Sequence, residues 1–250
     1  MKHEILAALA EVERQHAVRV LLAVESGSRA WGFVSQDSDY DVRFIYVHSR
    51  DWYLRIFAER DVIEPEGEGL LDPSGWELRK ALRLFSKCNI ALNEWLNSPI
   101  VYREAEGLRC QLQALMPAFF NPIAAIHHYL SMARTALDAR EAGAISVKKL
   151  FYVLRALFAC RWIERTTSQP PTEFKRLVDS VTDDTEKSWI AELLRQKAGG
   201  CEADMATLTQ QRLDAYTSEL TGLDTYATRT LRPSKTSHEP LDAIFRQWAM

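Results

Sequence analysis

Apolar residues recur along this chain at two different spacings, and the change from one to the other divides it. Between residues 2 and 16, Ile5, Leu6, Leu9 and Val12 fall at three- and four-residue intervals, which predicts an amphipathic helix. Val18-Arg19-Val20-Leu21-Leu22-Ala23-Val24 is instead a short, continuous apolar run with β-branched members, the pattern of a central strand. Residues 41–47 form a second such run, and residues 60–64 and 68–72 predict two more short strands around a turn at 65–67. At Ser74 the character changes. Ser74-Gly75-Trp76-Glu77 matches a capping box, with Ser74 as N-cap ahead of a helix through Phe85.

Beyond that point the pattern is helical over 91–96, 103–115, 122–140, 147–165, 172–181, 185–196 and 202–220. Breaks are expected at Pro99, Pro117, Gly143, Pro170-Pro171 and Gly199-Gly200. Residues 224–240 are polar and predict a loose stretch, followed by a short amphipathic segment at 241–248. The expected class is α+β. A small lobe of strands and helices over residues 1–100 precedes a helical region over 101–225, then a polar linker and short helix over 226–250.

Composition narrows the setting without naming a function. Of 250 residues, 47% are hydrophobic, enough for a sizeable core, and the formal net charge of -3 gives no general basic footprint for nucleic acid. A local basic groove stays compatible with that average. No apolar run approaches the ~18 residues of a membrane span, and the early acidic residue Glu4 argues against a signal peptide, so a cytoplasmic protein is expected. Cys88, Cys110, Cys160 and Cys201 are scattered, with no zinc-ligand spacing. His127 and His128 diverge by about 100° on a helix and make a poor metal pair.

The chemistry concentrates between the first two predicted strands. Gly27-Ser28 follows the first strand at the start of a short helix, where backbone N–H groups favour an anion such as phosphate. By itself this is also an ordinary turn with a capping serine. Asp39 and Asp41 open the second strand on one face, roughly 6.6 Å apart along the chain, a spacing at which two carboxylates can share or bridge hard divalent cations. Arg43 continues that face, either as a partner for the carboxylates or as a counter-charge for phosphate. A phosphate cradle beside paired carboxylates fits a nucleoside triphosphate, such as ATP, with Mg²⁺ or Mn²⁺. A third carboxylate is needed for two-metal nucleotidyl transfer, and Asp72 is the first choice, with Glu64, Glu68 and Glu77 as rivals. Farther on, Lys148, Tyr152 and Arg155 share a helix face that either binds a triphosphate and base or is merely solvated.

Gly27-Ser28-Arg29-Ala30-Trp31-Gly32, Ser35 and Ser38-Asp39-Tyr40-Asp41-Val42-Arg43 together resemble the DNA polymerase β superfamily of nucleotidyltransferases. Asp72 to Lys80, Asn93 to Leu96, Ser98 to Tyr102 and Lys148 to Glu164 extend the resemblance to the RNA-ligase-associated, RNA repair pathway nucleotidyltransferases. Pro73, Glu77 and Ile90 depart from that pattern. The resemblance implies a polymerase β-like palm with a mixed sheet and flanking helices. It implies that Gly27 and Ser28 hold phosphates, joined in the nucleotide site by Arg29 and Ser38, while Asp39, Asp41 and Asp72 hold the metals. The expected reaction is attack of a hydroxyl, with an RNA 3′ end preferred, on a nucleoside triphosphate. Expected partners are the triphosphate, RNA or an RNA-repair ligase, and no membrane. Two rivals remain: AMP transfer to a protein hydroxyl, as in toxin–antitoxin nucleotidyltransferases, and a non-catalytic nucleotide-sensing partner in a repair complex.

Overall fold

The computed structural model describes residues 1–57, 59–65, 69–140, 144–201, 204–231 and 236–249. The chain divides into two compact units, one of Met1–Ala30, Asp39–Phe119 and Lys235–Met250, the other of Trp31–Ser38 and Phe120–Ser234.

The first unit is built on the apolar runs. Its elements are α1 (Lys2–His16), β1 (Arg19–Glu25), α2 (Gly27–Trp31, its last residue in the second unit), β2 (Tyr40–Val47), α3 (Arg50–Tyr53), β3 (Val62–Ile63), β4 (Leu71–Glu77), α4 (Leu78–Ser86), α5 (Ile90–Leu96), β5 (Val101–Glu104) and α6 (Leu108–Phe119). The strands form one sheet in the order β3-β4-β2-β1-β5. β2 runs parallel to β4 and antiparallel to β1, while β5 pairs antiparallel with β1, so the sheet is mixed.

Alternation along β2 assigns its two faces. Val42, Phe44 and Tyr46 pack with Ile5, Leu9 and Val12 of α1, whereas Ile45 and Val47 join a core with Leu78, Leu82, Phe85, Leu92 and Leu112 from α4, α5 and α6. In β1 an irregularity between Val20 and Leu22 shifts the register, so Val20 faces α1 while Leu21 and Leu22 both join the opposite core.

The second unit contains α7 (Pro122–Asp138), β6 (Ala144–Ser146), α8 (Val147–Thr166), α9 (Phe174–Val178), α10 (Asp184–Gly199), β7 (Met205–Thr207) and α11 (Gln210–Arg229). α7 packs along α8, and α11 packs on both. Phe33 stacks on Phe151, and both meet Phe174 edge-on, so the segment after α2 is rooted in this unit's aromatic core. α12 (Glu239–Trp248) returns to the first unit, where Leu241 and Ile244 are buried in the α4–α6 core. Among the described residues, no helix is long and apolar enough to cross a membrane.

Several local expectations are corrected. Ser74 and Gly75 belong to β4, paired in register with Arg43 and Phe44. A Cβ at Gly75 would lie 2.0 Å from Phe44 Cε2, so that glycine serves close strand packing, not a helix start. The N-cap is Glu77 itself, whose side chain accepts from the Lys80 N–H at 3.2 Å. Residues 60–64 pair through Val62 and Ile63 with Trp76 and Gly75, farther along β4 than residues 68–72. Residues 66–68, and with them Glu68, lie outside the described residues, as does Gly143. The start of the expected 103–115 helix is strand β5, because pairing with β1 captures residues 101–104. Pro117 lies inside α6, where Met116 and Phe119 anchor the last turn in the core. Residues 205–207 form β7 rather than helix, and α11 extends to Arg229 into the stretch expected to be loose.

Candidate active site

β1 ends in the site. Gly27 adopts φ +57°, and a Cβ built on it would fall 2.1 Å from Asp41 Oδ2. Only glycine lets the Asp41 carboxylate lie this close to the turn, with φ in the left-handed region that side chains disfavour. Ser28 follows, buried, within the single turn of α2. The Ser26 N–H donates to the Asp41 carbonyl at 2.9 Å, fastening the turn to the start of β2.

The parallel register then places Asp41 directly opposite Asp72. Their carboxylates meet at one atom: Arg43 Nη2 donates to Asp41 Oδ1 at 2.8 Å and to Asp72 Oδ2 at 2.7 Å. Arg43 Nη1 also donates to the Asp72 carbonyl at 2.6 Å. Two carboxylate oxygens converging on one positive nitrogen is an arrangement of hard donors suited to a small divalent cation. Mg²⁺ takes one or two carboxylates and completes its shell with substrate phosphates and water. Among the described residues, no group of three or more His, Cys, Asp or Glu side chains forms a ready-made metal cage.

Asp39 stands one residue before β2 and is exposed. Its carbonyl accepts from Arg29 Nε at 2.9 Å, and the Arg29 guanidinium lies 3.6 Å from the centroid of the Tyr40 ring. Arg29 therefore braces the segment that carries Asp39. Of the rival carboxylates, Glu77 caps α4 and accepts from the Tyr53 hydroxyl, and exposed Glu64 pairs with Arg60. Among the described candidates, Asp72 is the one set beside Asp41 by strand register.

Ser38 and the Lys148 helix face belong to the second unit. Ser38 is buried, and its Oγ accepts from the Ser35 N–H at 2.9 Å. Ser35 Oγ in turn accepts from the buried Lys197 Nζ at 2.6 Å. On α8, the Tyr152 ring meets Trp31 edge-on at 5.3 Å, and the Arg155 guanidinium lies 4.7 Å from the Trp31 ring centroid. Arg155 is 0% exposed and in this conformation packs its guanidinium against Trp31. Lys148 is half-buried near the start of the same helix.

Two residues that the sequence pattern passed over stand out. Glu25, the last residue of β1, is fully buried, and its Oε1 accepts from the Asp41 N–H at 2.8 Å. Its other oxygen accepts from the Tyr102 hydroxyl, and Ser98 Oγ donates to the Glu25 carbonyl at 2.6 Å. Burial pushes the Glu25 carboxyl above its ordinary range, opposed by the hydrogen bonds from Tyr102 and Asp41. Burial, together with the bond to Glu25, likewise pushes the Tyr102 hydroxyl up. The second is Lys197, which ties α10 to the segment preceding Asp39. A carboxylate at the end of an apolar strand was the one available signal for Glu25; nothing local marked Lys197.

The family described as RlaP, RNA repair pathway DNA polymerase beta family, matches residues 1–247 of this chain. The uncharacterized protein YcgL of Bacillus subtilis (strain 168) is 49% identical over 207 residues, which cover 82% of this chain and 80% of that relative. Among solved structures, a nucleotidyltransferase-like protein from Exiguobacterium sibiricum 255-15 matches 96% of this chain and 79% of its own, at 14% identity and a TM-score of 0.34. With the family matched over residues 1–247 of 250, the chain belongs to the RNA repair pathway DNA polymerase beta family.

Proposed function

We propose that this chain transfers a nucleoside monophosphate from a nucleoside triphosphate to a hydroxyl acceptor, with an RNA 3′ end as the acceptor. The transfer chemistry is carried by one observation: Asp41 and Asp72 face each other in register, with oxygens within 2.8 Å of a single cationic nitrogen; the choice of RNA as acceptor rests on the RNA repair family. Adjacent Gly27 leaves room for that carboxylate beside the turn.

In this mechanism the acceptor hydroxyl gives up its proton to solvent, its oxygen bonds to the α-phosphorus, the α–β bridging P–O bond breaks, and pyrophosphate leaves. The residues mainly position reactants and balance charge, as in phosphoryl transfer generally. Asp39 and Asp41 would hold a divalent cation on the triphosphate side, and Asp41 and Asp72 one on the acceptor side. The bound ion would neutralise phosphate charge and lower the pKa of the attacking hydroxyl. The backbone of Gly27 and Ser28 would face phosphate oxygens, with Arg29 holding the Asp39 segment in place. Glu25 would fix Asp41 from below through its main-chain N–H.

The test offers α-labelled nucleoside triphosphates with Mg²⁺ or Mn²⁺ to RNA, DNA and protein acceptors in parallel. Label on RNA that is lost with Asp41→Asn supports the proposal. Label on protein alone would replace it with AMP transfer to a protein hydroxyl. No transfer to any acceptor would refute it.

A further inference from the structure

Arg43 lies between the two carboxylates that would hold the acceptor-side ion. Its side chain is only 18% exposed, and Nη2 reaches both Asp41 and Asp72. Nη1 meanwhile donates to the Asp72 carbonyl at 2.6 Å and makes a longer contact, 3.4 Å, to the Val42 carbonyl. The geometry follows from the sheet: Asp41 and Arg43 share one face of β2, and Asp72 sits beside them on β4. Two neighbouring carboxylates repel, and a guanidinium fork between them removes that repulsion while fixing both orientations. A divalent ion held by the same two oxygens would have to displace Nη2 from them.

Resting on the nucleotidyltransferase reading, we propose that Arg43 is a tethered cation that positions Asp41 and Asp72 and competes with a divalent ion for the space between them. Ion binding there is thereby weakened by the chain's own side chain. The Arg43 guanidinium is bonded to Asp41 and Asp72 rather than to Asp39, so an ion held by Asp39 and Asp41 meets less of this competition. The device makes the acceptor-side position the weaker of the two.

Mn²⁺ binding, followed by electron paramagnetic resonance of the free ion and by calorimetry, tests this on the intact protein without any turnover. Arg43→Gln should tighten the weaker Mn²⁺ site by about tenfold or more, equivalent to about 1.4 kcal/mol. Arg43→Lys, which keeps the charge, should stay near the wild type. Asp72→Asn added to Arg43→Gln should abolish the gain. Thermal melts give a second readout: Mn²⁺ should raise the Tm of Arg43→Gln more than that of the wild type. Equal or weaker Mn²⁺ binding by Arg43→Gln overturns the proposal, as does a gain that survives Asp72→Asn. A tightened site in a protein that transfers no nucleotide would refute the proposed reaction and leave the competition standing. Unchanged affinity in an active protein would do the reverse.

Discussion

Replacing Gly27 with alanine separates the geometry of the site from the stability of the fold. A Cβ at this position lies 2.1 Å from Asp41 Oδ2 and 3.0 Å from Asp41 Cγ, with the backbone at φ +57°. Carbon–oxygen contacts normally sit beyond about 3.3 Å, so the carboxylate has to retreat by about 1 Å. The left-handed conformation adds about 1–2 kcal/mol for alanine, which lowers Tm by about 2–8 °C in a domain of this size. Displacement of a reacting group by 1 Å lowers turnover by about 10²-fold. Gly107 supplies the control, because it is also left-handed, at φ +97°, yet a Cβ there meets nothing within 4 Å. Gly107→Ala should share the fall in Tm and keep its nucleotidyl transfer and Mn²⁺ affinity. Gly27→Ala should lose both. Transfer within a few-fold of wild type in Gly27→Ala, or an equal loss in Gly107→Ala, would refute the assignment of Asp41 and its glycine to the reacting centre.

Asp41→Asn and Asp72→Asn should each lower transfer by about 10²–10³-fold, the scale of removing one preorganised electrostatic contact, with circular dichroism unchanged; near-normal rates in either would remove that residue from the site. Glu25→Ala leaves the Asp41 N–H and the Tyr102 hydroxyl without their buried acceptor, and should cost about 2–4 kcal/mol in a urea titration. An unshifted midpoint would show that the carboxylate is not holding β2. Burial keeps the His48 imidazole below its ordinary value of 6.5. The unfolded chain therefore binds the extra proton first, and stability present above pH 6.5 is lost as pH falls through the folded value. Glu25 acts in the opposite sense, its contribution being lost as pH rises past 4.5 and through its folded value, so the difference between wild type and His48→Gln is the quantity to measure. A parallel pair of Tm–pH curves would contradict this.

Gly27-Ser28 and Asp39-x-Asp41 could be picked out as candidates because their features are local: a turn, a strand start and two carboxylates within fifteen residues of chain. Asp72 was chosen as a carboxylate closing a predicted strand ahead of the Ser74 cap, and again through the resemblance; the structure puts it near the start of β4, opposite Asp41. Ser74 misled because a capping box is defined by four residues alone, whereas β4 is stabilised by a whole register of bonds to β2. The strand at 101–104 was hidden for the same reason, since its partner β1 lies some eighty residues earlier. Arg155 and Tyr152 both meet Trp31, as a shared helix face requires, yet periodicity does not say whether a face meets solvent or an aromatic core.

The sequence by itself determined the kind of chemistry available here, because carboxylates, a glycine turn and apolar runs carry their properties wherever they fold. Tertiary structure decided which groups meet. Parallel pairing of β2 with β4 set Asp41 opposite Asp72, and alternation along β2 brought Arg43 between them. It also brought Glu25 under Asp41 across the β1–β2 ladder. Those contacts depend on strand register, and register is set by the packing of two apolar faces over the whole sheet, which no short stretch of chain encodes.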